Sequence, residues 1–299
     1  MPIWSTRTTA IESLGARFST AALVSAEARL HAVDNAAVTS EDALSLRAFA
    51  RRGHLARPVV TVVLDGRARV SLDGAHHWLA PGDALAMPQK AAVVMRQEGA
   101  RYASLVCECD AARHAAPPDR ARPLRLAARD LDAAHAAFDA VRERRRDDGA
   151  LDAWGEVLGA QGLPVGRLAG AFDGADDPQL QRLSDALDRL LSDLASERLK
   201  GSVESQMGLS VRHFQRVVVE FHQRFGFNAE GWIDARNRRR LLLGAGFMTA
   251  PGAGAEAVGR AMGFASASAF SKALVNAGLP RPGAVAAAVA ALREGDPEA

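Results

Sequence analysis

The side chains best suited to ligand chemistry lie close together in GSVESQMGLSVRHFQR, residues 201–216. Arg212, His213, Gln215 and Arg216 place four hydrogen-bond donors within five positions. Such a density of donors suits a ligand rich in acceptors, and in the major groove of DNA arginine pairs with guanine and glutamine with adenine. The preceding Gly208 and Ser210 predict a tight turn and a helix N-cap. The stretch therefore predicts a helix-turn-helix whose second helix carries the donors.

The charge of the chain is distributed unevenly, and this supports a polyanionic partner for one region. The formal net charge of the whole chain is only +2. Between Lys200 and Arg281, eleven Lys or Arg stand against five Asp or Glu, a local excess of six positive charges. A basic C-terminal region on an otherwise mildly acidic protein is typical of nucleic-acid binding by that region.

Composition sets limits on the class of protein. The 299 residues, 48% hydrophobic and 24% charged, are enough for two globular domains. Only Cys107 and Cys109 are present, which fits a reducing compartment. The N-terminus lacks the pattern of a signal peptide, and no run approaches the ~20 apolar residues of a membrane span. We therefore predict a cytoplasmic protein without membrane association.

Residues 57–109 show the alternation of short apolar runs and turn signals that is typical of an antiparallel sheet. Turn signals occur at Asp65-Gly66 and at Pro81-Gly82-Asp83, and their spacing predicts a barrel or a double-sheet jelly roll. On the last strand, Cys107 and Cys109 share one face because strand side chains alternate. Buried core thiols are the favoured interpretation, and a redox or metal sensor pair is the alternative.

The middle of the chain predicts helices. LDAAHAAFDAVRERRR and LDAWGEVLGAQ have helical spacing of apolar residues, while AGAFDGADD predicts a hinge or surface loop. These helices suit either a dimer interface or packing within their own domain. After Asp177-Pro178, leucines recur at a helical period, which predicts an amphipathic helix. They are Leu180, Leu183, Leu187, Leu190, Leu191 and Leu194.

The phrase LDGAHHWLAPGDALAMP resembles the second motif of the cupin family, in which a Pro-Gly-Asp turn joins two strands. Metal-dependent cupins carry two His and a Glu on the first motif and a further His on the second. Here the first-motif region offers only His54, and the side chains of His76 and His77 would point to opposite faces. The sequence therefore predicts neither a bound metal nor a cofactor. Candidate residues for an effector pocket are Arg51, Arg52, His54 and Trp78.

The C-terminal third resembles the AraC/XylS family of bacterial transcription regulators, whose DNA-binding domain holds two helix-turn-helix units joined by a long helix. The first unit's motif is matched by Gly208, Leu209, Ser210, Phe214 and Arg216. In AEAVGRAMGFASASAFSKAL the second unit's motif is matched by Val258, Gly263, Phe264, Ser268, Phe270 and Lys272. The joining helix is matched by Gly226, Trp232 and RNRRRLLL. Lys272 stands where the family usually has Arg.

This resemblance, together with the chemistry of the side chains, implies a set of DNA contacts. We expect base-edge contacts from the first unit, phosphate contacts from the joining helix, and mainly backbone affinity from the second unit. The predicted DNA-binding residues are Arg212, His213, Gln215, Arg216, Arg238, Arg239, Ser266, Ser268 and Lys272.

The sequence thus predicts an α+β protein with three parts. Residues 1–115 form a cupin-like antiparallel β-barrel for effector sensing or dimerisation, residues 116–178 a helical linker, and residues 179–299 an all-α domain with two helix-turn-helix units. The predicted function is a transcription regulator, expected to be an activator, that binds promoter DNA, a small-molecule effector and RNA polymerase as a homodimer, without catalysis. The alternatives are a metal-dependent cupin enzyme with a helical appendage and a ligand-insensitive DNA-binding protein.

Overall fold

The structure is a computed structural model. It describes residues 2–38, 40–41, 58–72, 75–87, 94–109, 121–163, 167–175, 177–196, 207–225, 231–285 and 287. An antiparallel sheet occupies the N-terminal part of the chain, and helices form the C-terminal part, which confirms the predicted α+β class. No helix among the described residues is long and apolar enough to cross a membrane.

The sheet is built from strands of very different length. They are β1 (Ile3–Ile11), β2 (Ala16–Val24), β3 (Ala28–Ala36), β4 (Ser40–Glu41), β5 (Val59–Leu72), β6 (Ala75–Leu79), β7 (Asp83–Met87), β8 (Val94–Cys109) and β9 (Arg122–Arg125). The order across the sheet is β1-β2-β3-β8-β5-β7-β9, with β4 paired to β8 and β6 paired to β5. The long strands β5 and β8 therefore lie near the centre, and β3, β4, β6 and β7 pair directly with one of them.

Asp65 and Gly66 lie within a single long strand and not in the turn that the sequence predicts. Strand β5 runs on through them, and its register with β8 shifts between Val63 and Asp65 and again between Asp65 and Arg67. Gly66 has φ +75°, and a Cβ there would lie 2.3 Å from the carbonyl oxygen of Arg101. A bulge uses the same left-handed glycine that a tight turn would use, so the two are hard to distinguish by residue type.

The predicted turn at residues 81–83 is confirmed, and it joins β6 to β7. The backbone N–H of Asp83 donates to the carbonyl of Ala80 (2.9 Å), and the Asp83 carboxylate accepts from the backbone N–H of Ala80 (2.8 Å). Gly82 has φ +89°. Asp83 thereby ties the start of β7 back to the end of β6, a role that aspartate often has in turns.

Helices cover one side of the sheet, which we call the covered face. Helices α1 (Ala128–Arg142) and α2 (Asp148–Ala160), both predicted, share a core with side chains of β2, β3, β5, β7 and β8. The segment predicted as a hinge or loop contains a short 3-10 helix, Ala169–Phe172, and Phe172 is fully buried in the same core. The helices of the predicted linker thus pack against the sheet of the N-terminal part.

The remaining helices belong to the C-terminal part. They are α3 (Pro178–Ser192), α4 (Val211–Arg224), α5 (Trp232–Phe247), α6 (Ala255–Ala261) and α7 (Ala267–Asn276). Asp177 caps α3 by accepting from the backbone N–H groups of Gln179 and Leu180, at 2.9 and 3.1 Å. The predicted leucine stripe of α3 is buried from Leu183 to Leu191.

Helix α3 lies along the outer edge of β1 and satisfies its backbone. The backbone N–H groups of Trp4, Thr6 and Thr8 donate to the side chains of Gln181 (2.8 Å), Asp188 (2.6 Å) and Ser192 (3.1 Å), respectively. These donors are two residues apart on the strand, so they point to one side. An edge strand that would otherwise expose unpaired backbone groups is thereby covered.

Asp188 makes the densest set of contacts at this junction. Its carboxylate, which is 5% exposed as a residue, accepts from the Ser5 hydroxyl (2.8 Å), the Thr6 N–H (2.6 Å) and the Arg7 guanidinium (2.8 Å). A buried carboxylate is tolerated when its oxygens are satisfied in this way. Asp188 therefore fixes where α3 sits on the strand.

Both ends of β1 and β2 share hydrophobic cores with the C-terminal helices. At one end, Ile3, Ala22 and Val24 pack in a cluster with Phe214 and Phe221 of α4. At the other end, Ile11 and Ala16 join a cluster that includes residues of α5, α6 and α7. There the ring of Phe18 meets Phe247 edge-on, with centroids 5.1 Å apart. The sheet therefore contacts both halves of the C-terminal part.

Replacing Gly66 tests the bulge. Gly66→Ala should lower the free energy of unfolding by about 3 kcal/mol, because an L-residue is strained at this φ and its Cβ collides with the Arg101 carbonyl. Gly15 is the matched control: it has φ +59° and open space around its Cβ position. Gly15→Ala should cost only about 1 kcal/mol. Urea unfolding measures both, and equal losses would contradict the bulge geometry.

Replacing Asp188 tests the junction between sheet and α3. Asp188→Asn should lower the free energy of unfolding by about 3 kcal/mol, because it removes the negative charge that pairs with Arg7 and turns an amide donor toward other donors. Asp185→Asn, on the same helix, removes the charge of a surface pair with Arg144, while its amide oxygen can still accept the hydrogen bond from Gln181, and it should cost at most about 1 kcal/mol. If chemical denaturation gives the same loss for both, the junction does not depend on Asp188.

Candidate functional site

The first predicted unit is described from Met207 onward, while residues 201–206 lie outside the described part of the chain. Gly208 takes φ +64° in the turn. Ser210 then caps α4, its hydroxyl accepting from the backbone N–H of His213 at 3.3 Å. The predicted turn and second helix are therefore present. The N-terminal end of α4 is exposed to solvent, and the buried residues of the helix begin at Phe214.

Helix α4 separates an apolar side from a side rich in donors. Phe214, Val218 and Phe221 are buried in the core shared with the sheet. The predicted contact residues Arg212, His213, Gln215 and Arg216 are all exposed. Within the described residues, neither Arg212 nor Gln215 has a hydrogen-bonding or ion-pair partner, whereas Arg216 lies 3.8 Å from Glu220. The structure thus brings the four first-unit residues together on one solvent-facing tip.

The second predicted unit consists of α6, a turn and α7. In the turn Gly263 has φ +75°, and a Cβ there would lie 2.5 Å from the carbonyl oxygen of Leu194. Ser266 caps α7 by accepting from the backbone N–H of Ala269 (3.1 Å). Ser266, Ser268 and Lys272 are exposed, as the predicted contacts require. Serine has a short side chain and lysine a single ammonium group, so these residues suit phosphate contacts better than bidentate pairing with bases.

The two predicted phosphate ligands on the joining helix α5 lie inside the helical part. Arg238 forms a two-point pair with Asp234, at 3.0 and 2.9 Å, and its side chain is 15% exposed. Arg239 donates to the carbonyl of Leu191 at 2.7 Å. Burial of the guanidinium, together with the charge of Arg7, lowers the pKa of Arg239 to about 9. A phosphate contact by either side chain would have to compete with these bonds.

The other arginines of α5 also bind backbone carbonyls. Arg236 donates to Leu194 (2.8 Å), and Arg240 donates to Met262 and Gly263 while its guanidinium lies 4.1 Å from the centre of the Phe264 ring. Carbonyls at the end of a helix or in a turn lack helical donors, and a cation there is favourable. These arginines thus fix α5 against α3 and against the turn of the second unit.

The sheet contributes one polar link to the far end of α4 that the sequence analysis missed. Arg29 of β3 donates to the carbonyl of Phe225, the residue that ends α4, and lies 3.3 Å from Glu108 of β8. His31 lies 4.0 Å from the same carboxylate. In ARLHAVDNA, residues 28–36, polar and apolar residues alternate from Ala28 to Ala32, which indicates a strand but not the contact with Phe225.

Arg29 and His31 belong to a larger surface on the side of the sheet that α1 and α2 do not cover, which we call the opposite face. Side chains of β3, β5 and β8 alternate, so those facing this side are adjacent across the register. Its apolar part includes Val59, Val63, Tyr102 and Val106. Its polar part comprises Arg29, His31, Asn35, Thr61, Ser104 and Glu108. Along the register the polar groups are interspersed among the apolar ones, and most of these side chains are buried. Apolar residues with a few polar groups among them are the usual composition of a small-molecule site.

Of the predicted effector residues, Arg51, Arg52 and His54 lie outside the described residues. Trp78 is 48% exposed, and the Arg67 guanidinium lies 4.6 Å from its ring centre. Its strand neighbour Leu79 is buried among the apolar residues of the opposite face, so the alternation of β6 turns Trp78 away from that face. The structure therefore does not bring Trp78 to the opposite face.

Cys107 and Cys109 share the covered face, as predicted, and both are buried. Their sulfurs are 3.5 Å apart. The hydrogen bond to Cys109 and burial raise the pKa of the Cys107 thiol, which keeps it protonated and unreactive. This is the core-thiol interpretation. Among the described residues, no cluster of three or more His, Cys, Asp or Glu side chains could hold a metal ion.

Comparisons with known proteins yield only remote structural similarity. The sequence matches no protein-family model and no curated protein. Similar solved structures include unsaturated fatty acid-bound ToxT from Vibrio cholerae strain SCE256, with TM-score 0.34, 9% identity and coverage of 85% of this chain and 92% of that chain. The AraC-like transcriptional activator CuxR gives TM-score 0.35 and 14% identity, over 78% of this chain and 83% of that chain. At such TM-scores, similarity does not establish a function.

Proposed function

We propose that this protein is a DNA-binding transcription regulator of the AraC type that responds to a small molecule. The observation that carries the proposal is the tip of α4, where Arg212 and Gln215 lie exposed at the start of a capped helix that follows a tight turn. A recognition helix enters the major groove with its N-terminal residues against the base edges, and these two residue types form bidentate pairs with guanine and adenine.

The two units make different kinds of contact with DNA in this proposal. Arg212, Gln215 and Arg216 supply directional donors on α4, whereas α7 offers Ser268 and Lys272 among alanines. Contacts to phosphate position a protein on the duplex without reading its sequence, and contacts to base edges specify the sequence. The first unit is therefore the reader, and the second adds backbone affinity.

A small-molecule effector is the second component of the proposal, and the opposite face supports it. Ser104 is fully buried there, and within the described residues its hydroxyl makes no hydrogen bond. A buried hydroxyl without a partner costs free energy unless a ligand or water satisfies it. Such a ligand would be mostly apolar with at least one acceptor or donor.

The hypothesis has four further parts. They are homodimerisation, contact with RNA polymerase to activate transcription, a cytoplasmic location, and the division into residues 1–115, 116–178 and 179–299. Regulators that bind paired half-sites do so as symmetric dimers, which is the physical reason for the first of these.

Substitutions on α4 and α7 test the division between base and phosphate contacts. Arg212→Ala should weaken binding to a selected duplex by about 1 to 3 kcal/mol and leave a scrambled duplex nearly unaffected, the behaviour of a base contact. Lys272→Ala should weaken both duplexes about equally. Fluorescence anisotropy of the full-length protein over a salt series measures both, and affinity should fall as the salt concentration rises.

Arg224 provides the matched control for this experiment. It is exposed near the C-terminal end of α4, roughly 18 Å along the helix from Arg212. Arg224→Ala removes the same charge but should not change the discrimination between the duplexes. Equal effects of Arg212→Ala on selected and scrambled duplexes would refute base reading by α4, and a folded protein without salt-dependent duplex binding would refute the proposed function.

Ser104 gives a test of the effector component. Ser104→Ala should leave the free energy of unfolding unchanged or raise it by up to about 1 kcal/mol, because no hydrogen bond is removed. Ser5→Ala, which removes a buried hydroxyl bonded to Asp188, should instead lower it. In a thermal-shift screen of metabolites, a compound that raises the melting temperature of the wild type should do so less for Ser104→Ala. An undiminished shift would place the ligand elsewhere.

A further inference from the structure

We propose that Val211 makes a specificity contact with the 5-methyl group of a thymine in the DNA site. This inference rests on the proposed function, since it assumes that α4 enters the major groove. It adds an apolar contact to the polar contacts already assigned to Arg212 and Gln215, and it concerns a residue that lies outside the set expected from the sequence.

Val211 occupies the first position of α4, directly after the capping residue Ser210. It is 56% exposed. Within the described residues of α4 every other exposed side chain is polar, and Gln215 lies one turn further along the same side. Val211 is thus an apolar group among hydrogen-bond donors, at the end of α4 that would enter the major groove.

The fold itself does not account for this valine. It is largely outside the core that contains Phe214 and Val218, and a β-branched residue slightly disfavours the helix. Single exposed apolar residues are ordinary on protein surfaces, and Ile233 and Val275 are further examples here. Val211 differs from them because it lies beside Arg212 and Gln215, at the tip.

The chemistry of the groove identifies the ligand group. The base edges of the major groove present hydrogen-bonding atoms and one apolar group, the C5-methyl of thymine. An exposed valine brought against polar base atoms would desolvate them without compensation, whereas against this methyl both partners lose unfavourable exposure to water. A thymine next to the base read by Gln215 or Arg212 is therefore the partner that suits Val211.

The test compares thymine with deoxyuridine, which differs only by this methyl group. Duplexes bound by the full-length protein are first selected from a random pool, and each thymine of the selected site is then replaced by deoxyuridine in turn. At one position the replacement should weaken wild-type binding about three- to tenfold. Val211→Ala should weaken binding to the thymine duplex by a similar factor and should no longer respond to deoxyuridine at that position.

Two further variants complete the test. Val211→Thr keeps one methyl group and should retain part of the response, which separates the removal of the methyl interaction from a disturbed helix. Val275→Ala removes another exposed valine, near the end of α7, and should leave the response to deoxyuridine intact. Arg212→Ala should bind more weakly but should also keep the response to deoxyuridine.

The outcomes distinguish this inference from the proposed function. Additive effects of Val211→Ala and deoxyuridine at every position, or wild-type binding that is indifferent to deoxyuridine, would overturn the methyl contact while leaving sequence-specific binding established. If no duplex is enriched and the folded protein shows no salt-dependent binding, both proposals fail together.

Discussion

The edge of strand β1 is the constraint on which the arrangement of the molecule depends. Its outward N–H groups would be unsatisfied without α3, and the side chains of Gln181, Asp188 and Ser192 bind them in turn. Once α3 is fixed there, its C-terminal carbonyls fix the joining helix, because Arg239 binds Leu191 and Arg236 binds Leu194. The carbonyl of Leu194, two residues beyond the end of α3, also lies beside Gly263. The same segment therefore positions the turn of the second unit.

This arrangement makes the sheet part of the geometry that is proposed to bind DNA. The two hydrophobic clusters at the ends of β1 and β2 belong to different helix-turn-helix units, and Arg29 binds the carbonyl that ends α4. A ligand that changed the position of Arg29 or of β3 would act on the helix proposed to read bases. Such coupling needs no long path, since the opposite face and the end of α4 share one residue.

Local features were predictable from the sequence, whereas features set by distant partners were not. The Ser210 cap, the helices α1 and α2 and the turn at Gly82 depend on nearby residues, and they were found as predicted. The sequence predicts a turn at Gly66, whereas the structure has a bulge there. A left-handed glycine suits a turn and a bulge equally well, and only the register with β8 distinguishes the two. The contact of Arg239 could not be predicted, because a charged residue on a helix shows nothing of a carbonyl that faces it from 48 residues away in the chain.

Several arginines that add to the positive charge of the sequence are bound within the protein, and this affects how the protein would bind DNA. The excess of six positive charges between residues 200 and 281 includes the four arginines of α5, which are bound to carbonyls or to Asp234. Arg216 and Arg260 each lie near a glutamate one turn away. Because each released counterion requires a cation that reaches a phosphate, the electrostatic contribution should be smaller than the sequence charge implies. Sequence-specific binding would then depend more heavily on the few side chains at the tip of α4, where each base contact supplies a larger share of the affinity.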